Sequence, residues 1–174
     1  MGFLSRILQQ LNCLKCDRML NHPFVICSKC NELQRIPTLN YFQLFNIQSP
    51  STMPTDLKQR YIKLQSMAHP DRHNSNESAQ NMSSFISNAF NIINNPFKKA
   101  EYALKLQKVA ISDYDKVQQC FLMQVMELQE EDDNDDKIRR MMEEFKTEFW
   151  NHYDDKDYEK AKDVLLKWKF LNKI

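Results

Sequence analysis

Four cysteines in two pairs, Cys13-Leu-Lys-Cys16 and Cys27-Ser-Lys-Cys30, put the most chemistry into the least space of this sequence. Two residues between cysteines let both thiolates of a knuckle reach one ion, and two knuckles complete a closed tetrahedral site with Zn–S bonds of about 2.3 Å. The ten residues between the pairs are enough for a hairpin or loop, and Asn21, Pro23, Phe24, Val25 and Ile26 are turn and strand types. A closed four-cysteine site is structural, because it keeps no open position for water. Lys15 and Lys29 sit inside the knuckles and would offset the negative charge of a zinc tetrathiolate. Two disulfides are the rival reading, but they suit secreted chains and no signal peptide is legible. A thiol-redox pair wants βαβ surroundings that this sequence does not offer. Cys13, Cys16, Cys27 and Cys30 are therefore expected to hold structural zinc, with iron as the open alternative. Cys120 reads as a small apolar helix residue rather than a ligand.

A second group of polar residues, His69-Pro70-Asp71, falls between two helical patterns. Leu57, Tyr61, Leu64 and Ala68 follow steps of four, three and four, one apolar face of a helix. Thr55 is placed to cap that helix and Pro70 to stop it. Met82, Phe85, Ile86, Ala89, Phe90 and Ile93 make a second stripe, broken by Asn94-Asn95-Pro96. Two antiparallel helices joined by a polar loop over 72–78 follow, with a shorter helix over 97–106. Pro70 stiffens the turn, so His69 and Asp71 project from it in fixed directions. By itself the tripeptide does not decide between a plain helix stop and a functional turn.

The composition restricts what such elements can be. In 174 residues, 24 Lys and Arg stand against 23 Asp and Glu, a formal charge of +1. That balance argues against a mainly electrostatic nucleic-acid binder. Gly2 is the single glycine, where average usage gives roughly 12. Phosphate-cradling Walker and Rossmann loops need glycine and are excluded. Hairpin-rich β barrels are disfavoured for the same reason. No apolar run approaches the ~20 residues that span a bilayer. Residues 1–12 form an amphipathic stretch with Phe3, Ile7 and Leu11 four apart, either a targeting remnant or a plain helix. Arg6 breaks the N-myristoylation pattern.

The combination of YFQLF, basic Lys58, Arg60 and Lys63, the HPD tripeptide, and ISNAFNIINNPFKKAEY resembles the J-domain. The resemblance implies that His69, Pro70 and Asp71, with Lys58, Arg60 and Lys63 on the preceding helix, engage a DnaK-type chaperone and stimulate its ATP hydrolysis. The work is then done on the partner, so the chain is not itself an enzyme. A catalytic His–Asp pair is the rival, but no nucleophile or metal accompanies it. Ile62 replaces a residue often basic in general J-domains, which weakens that face. An acidic helical tail follows without a Gly/Phe-rich linker. With FLMQVMELQEE and LKWKFLNKI, the chain from about residue 13 to 174 resembles the HscB (Jac-type) cochaperones of iron–sulfur cluster biogenesis. The CxxC pairs match the metal-binding extension of animal members.

The tail carries three stripes: Val117, Phe121, Val125 and Leu128; then Ile138, Met141, Met142, Phe145, Phe149 and Tyr153; then Tyr158, Ala161, Val164, Leu165 and Trp168. Short connections imply an antiparallel three-helix bundle. At 100° per residue from Val117, Leu122, Met123 and Met126 fall at roughly 140°, 240° and 180°, opposite the core face. Glu127 and Glu130 flank them, which makes an acid-rimmed apolar patch and a candidate interface. The resemblance implies that Leu122, Met123, Met126, Glu127 and Glu130, with Lys169 and Phe170, contact the cluster scaffold protein. Lys169 stands where the family often has Arg and loses a bidentate contact.

The expected fold is mainly α: a small N-terminal four-cysteine zinc knuckle at 13–37, a four-helix J-domain at 40–110 and a three-helix bundle at 113–174. The expected partners are a DnaK-type chaperone and an iron–sulfur cluster scaffold. Nucleic acid and membrane are not expected, and weak self-association stays open. The resemblance implies the mitochondrial matrix, with the cytoplasm as alternative. A J-domain cochaperone for another client, in general folding, is the runner-up.

Overall fold

The computed structural model describes residues 12–13, 15–20, 26–30, 32–34, 39–73, 77–111, 119–129 and 134–172, with the backbone alone at 128, 129 and 134. Among them are seven α-helices: α1 (Tyr41–Leu44), α2 (Leu57–Ala68), α3 (Glu77–Asn94), α4 (Pro96–Leu106), α5 (Gln119–Gln129), α6 (Asn134–Asp154) and α7 (Tyr158–Leu171). A 3-10 turn, Pro70–His73, follows α2. The described residues hold no strand, only two isolated bridges, Asn12 with Met19 and Ile26 with Leu33. No helix among them is long and apolar enough to cross a membrane. The chain forms two compact units, Met1–Asn94 and Asn95–Ile174. They divide within the 40–110 block that the sequence sets apart.

In the first unit, the Asn40 side chain accepts the Gln43 amide and the Gln43 side chain accepts the Asn40 amide, a reciprocal cap on α1. Helix α2 begins after Asp56, not on a Thr55 cap. The Asp56 carboxylate makes no cap bond and turns to Arg60, which competes for it at 2.9 Å. Pro70 stops α2 at Ala68 as the sequence requires. Helix α3 aligns Ala79, Met82, Ile86, Ala89 and Ile93 on its sealed side. Tyr61 stacks on Phe90 at 4.3 Å, while Gln65 bonds Ser87 and the Ser83 carbonyl. Numbers that rise along α2 and fall along α3 make the pair antiparallel. Tyr41 and Phe45 of the α1 segment meet Phe85 and Phe90 edge-on.

In the second unit, α6 and α7 form the main pair, and α4 and α5 pack on them. Asn95 caps α4 by accepting the Lys98 amide, with Pro96 at the first position, where its missing N–H is not needed. Phe97 meets Trp168 at 5.6 Å with the rings perpendicular. On α5, Phe121 and Val125 are buried with Leu171 and pack against Met141, Met142, Phe145 and Phe170. Val117 and the Leu128 side chain lie outside the described residues. Asp135 and Asp136 form the first turn of α6, where carboxylates meet the positive end of the helix dipole.

Near-absence of glycine leaves a mark on the helix ends. Lys108 and Lys156 both have φ of 64° and close α4 and α6. At each, an amide reaches back five residues, Val109 to Leu104 and Asp157 to His152. Glycine normally takes that left-handed place because it has no Cβ.

Candidate metal centre and docking surfaces

The two knuckles bring Cys13, Cys16, Cys27 and Cys30 together, with all four Sγ atoms within 4.8 Å of one another. Cys13 and Cys30 stand at 3.5 Å and Cys16 and Cys27 at 3.7 Å. A tetrahedral thiolate site with bonds of about 2.3 Å has sulfur–sulfur edges of about 3.8 Å, so the donor set fits a single ion. The knuckles are built alike. The Cys13 amide donates to the Arg18 carbonyl and the Cys27 amide to that of Glu32. The Lys15 and Lys29 amides each donate to their knuckle's first sulfur at 3.4 Å. Lys15 also pairs with Glu32 at 2.8 Å, tying one knuckle to the other.

Burial raises the Cys13 thiol, yet the Lys15 and Cys16 amides and the Cys30 and Cys27 sulfurs outweigh it and bring it down to about 6. Cys30 goes the other way: the Glu32 amide lowers it, but burial and the other three sulfurs push it up to about 12. Sulfurs this close cannot all ionise unless a cation sits among them. Among the described residues, these four cysteines are the group that could hold a metal. Cys120, on α5, is exposed and is not part of that cluster.

His69 caps the C-terminal end of α2 in extended conformation, and Pro70 opens the 3-10 turn. The Asp71 amide donates to His69 Nδ1 at 3.3 Å, and an Asp71 carboxylate oxygen lies 3.5 Å from the same nitrogen. A neutral ring with Nδ1 accepting carries its proton on Nε2. Both side chains are exposed while the turn is fixed from below by His73 Nε2 against the Met67 carbonyl. Lys58 and Lys63 are exposed on α2. Arg60 is not free in the same way. Its guanidinium donates to the Phe45 and Asn46 carbonyls at 2.6 and 3.0 Å as well as to Asp56. That bond holds the Asp56 carboxyl below its usual range.

On α5, Met123 and Met126 are 57% and 64% exposed, Glu127 is exposed and Leu122 is half-buried. On α7, Lys169 and Phe170 are half-buried, and Phe170 meets Phe121 at 6.2 Å. Glu130 lies outside the described residues. The described members of the patch thus lie on two helices joined through the Phe121 ring.

Residues 40–103 match the DnaJ domain family. The chain is 29% identical to the iron-sulfur cluster co-chaperone protein HscB of Mus musculus, covering 85% of this chain and 71% of that protein. It is 28% identical to a co-chaperone protein HscB homolog of Acinetobacter baylyi, over 78% and 86%. The crystal structure of human co-chaperone protein HscB superposes with a TM-score of 0.80 at 24% identity, covering 94% of each chain. Residues 40–103 are thus J-domain-like, and the chain as a whole is similar to HscB co-chaperones. The superposition carries the fold, the DnaJ match concerns residues 40–103, and the sequence likenesses are to HscB co-chaperones.

One residue of the metal centre, Gln34, escaped the reading of the sequence. The signal was a fourteen-residue repeat: Cys13, Lys15, Cys16 and Pro23 recur as Cys27, Lys29, Cys30 and Pro37. Asn12 with Met19 and Ile26 with Leu33, the two bridges, keep the same offset. Against that repeat Leu20 corresponds to Gln34, a polar residue at a buried place.

Proposed function

We propose that the protein is a cochaperone of iron–sulfur cluster transfer: it binds the cluster-loaded scaffold through α5 and α7 and presents it to a DnaK-type chaperone. The single observation that carries this reading is the exposed, internally braced His69-Pro70-Asp71 turn within the residues that match the DnaJ domain, in a chain similar to HscB co-chaperones. In this reading His69 and Asp71 are contact groups that promote ATP hydrolysis in the partner, and the protein makes and breaks no covalent bond itself. Lys58 and Lys63 supply the basic face. Arg60 serves it from behind, by fixing α2 to the preceding loop.

Leu122, Met123 and Met126 would bind the scaffold as a flexible apolar patch, and Glu127, Glu130, Lys169 and Phe170 would add to the contact. Zinc held by the four cysteines would be closed and structural, supplying fold rather than reaction. The CxxC pairs resemble those of animal members, and on that resemblance we assign the protein to the mitochondrial matrix. The test is ATPase stimulation of a matrix DnaK-type chaperone with and without purified cluster scaffold. Synergy between scaffold and this protein is expected. Stimulation indifferent to the scaffold would leave the J-domain and replace the client.

A further inference from the structure

The two knuckles are copies, so a difference between them carries information. Where the first has Leu20, the second has Gln34, a side chain that is only 5% exposed. Gln34 Nε2 donates to the Glu32 carbonyl at 2.7 Å and lies 3.5 Å from Cys13 Sγ. Glu32 belongs to the turn that closes the second knuckle, and its carbonyl also accepts the Cys27 amide. Gln34 is thus anchored on one knuckle and reaches the first sulfur of the other. Leucine at the equivalent place has no N–H to offer Cys27.

A buried amide is costly to leave without acceptors, so its direction is not indifferent: the carbonyl fixes the nitrogen and aims a hydrogen at sulfur. We infer that Gln34 is a positioning residue of the four-cysteine metal centre, whose side-chain amide holds Cys13 Sγ in its ligand place and draws charge from that thiolate. The inference rests on the reading of the four cysteines as a metal site. Its consequence is an unequal site. Cys13 has the one side-chain amide donor among the described residues of the module, so its thiolate is fixed in place but gives less charge to a metal ion than the other three. Outer groups that bond to ligands typically change metal affinity 10- to 100-fold.

The experiment uses the full chain and cobalt(II) alone as probe, because tetrahedral cobalt thiolate absorbs through sulfur-to-metal charge transfer. Gln34→Leu installs the residue that the first copy already carries, and Gln34→Met keeps the chain length without the donor. Each is expected to bind one cobalt per chain, with affinity against a competing chelator weakened about tenfold. The charge-transfer band should move to lower energy, since a thiolate without its donor gives up electron density more easily. Unchanged affinity and band in both variants would overturn the inference. Weaker affinity with an unmoved band would also overturn it, because loss of packing alone does that. Failure of the unsubstituted chain to bind cobalt would instead remove the metal reading on which the inference stands.

Discussion

Replacing Lys99 by methionine is the perturbation whose size the structure defines best. Lys99 lies on α4 among Ala100, Ala103 and Leu104 and is only 3% exposed, with its ammonium 4.8 Å from the Trp150 ring centroid. Burial, and secondarily the charge of Lys146, bring it down from 10.5 to about 8. Between those values the folded chain has lost the proton that the unfolded chain retains. Unfolding then takes up a proton, so stability rises with pH across that window, while below pH 8 the full penalty of burying the charge persists. The whole difference corresponds to about 3 kcal/mol, of which about 2 kcal/mol is relieved between pH 7 and pH 9.5. Both tryptophans, Trp150 and Trp168, belong to the second unit, so their fluorescence in urea follows that unit alone. With a slope near 1 kcal/mol/M, the midpoint should climb by about 2 M more in the unsubstituted chain than in Lys99→Met. Stopping at pH 9.5 avoids Tyr153, whose hydroxyl burial raises and which therefore acts in the opposite sense above pH 10. Parallel midpoints in the two proteins from pH 7 to 9.5 would refute the argument and mean that the ammonium reaches water.

Three further outcomes are expected. His69→Gln abolishes stimulation of the chaperone ATPase while scaffold binding, measured by calorimetry, persists; equal stimulation by both forms would remove the role of the turn. Leu122→Ala with Met126→Ala weakens scaffold binding by about tenfold or more, as loss of two apolar contacts implies, and leaves scaffold-independent stimulation intact; loss of both activities would mean that α5 is core. Arg60→Ala lowers the stability of the first unit by about 1–3 kcal/mol, since two carbonyls lose a charged donor, whereas Lys58→Ala leaves stability alone and reduces stimulation. A thermal melt in which both variants match the unsubstituted chain would contradict the bracing role of Arg60.

What the sequence disclosed was what periodicity and fixed spacing encode. The steps in α2 and α3 place Leu64, Ala68, Met82 and Ile86 in the core, and the CxxC spacing brings the sulfurs within reach of one ion. Interactions set by tertiary geometry were not legible. Arg60 looked like one more cation of a basic face, because its carbonyl partners lie fourteen and fifteen residues upstream in an irregular segment. Lys99 sits in PFKKAEY beside Lys98, and nothing in the residue types marks which of the two lysines is buried. The rings of Trp150 and Trp168, about fifty and seventy residues away in sequence, help to make that face of α4 an interior one. Thr55 failed as a cap because the chain turns one residue later and Asp56 takes the place. The helix ends at Lys108 and Lys156 show the same limit, since a residue type that avoids positive φ gives no local warning.

The position of α4 changes how the family match and the fold fit together. The DnaJ match runs to residue 103, yet the second compact unit begins at Asn95. One helix is therefore written in J-domain sequence and packed in the tail. It meets α6 and α7 in three different ways: the Phe97 ring edge-on to Trp168, the Lys99 ammonium over Trp150, and the Ala103 backbone carbonyl accepting from the Tyr153 hydroxyl that Gln107 also bonds. Contacts of such different kinds fix a helix in rotation as well as in position, because turning α4 by one residue, 100°, would break all three. Trp150, Tyr153 and Trp168 are thus not filler for a self-contained three-helix tail. They form the seat of α4, and a tail that lost this helix would expose two tryptophans and a tyrosine to water.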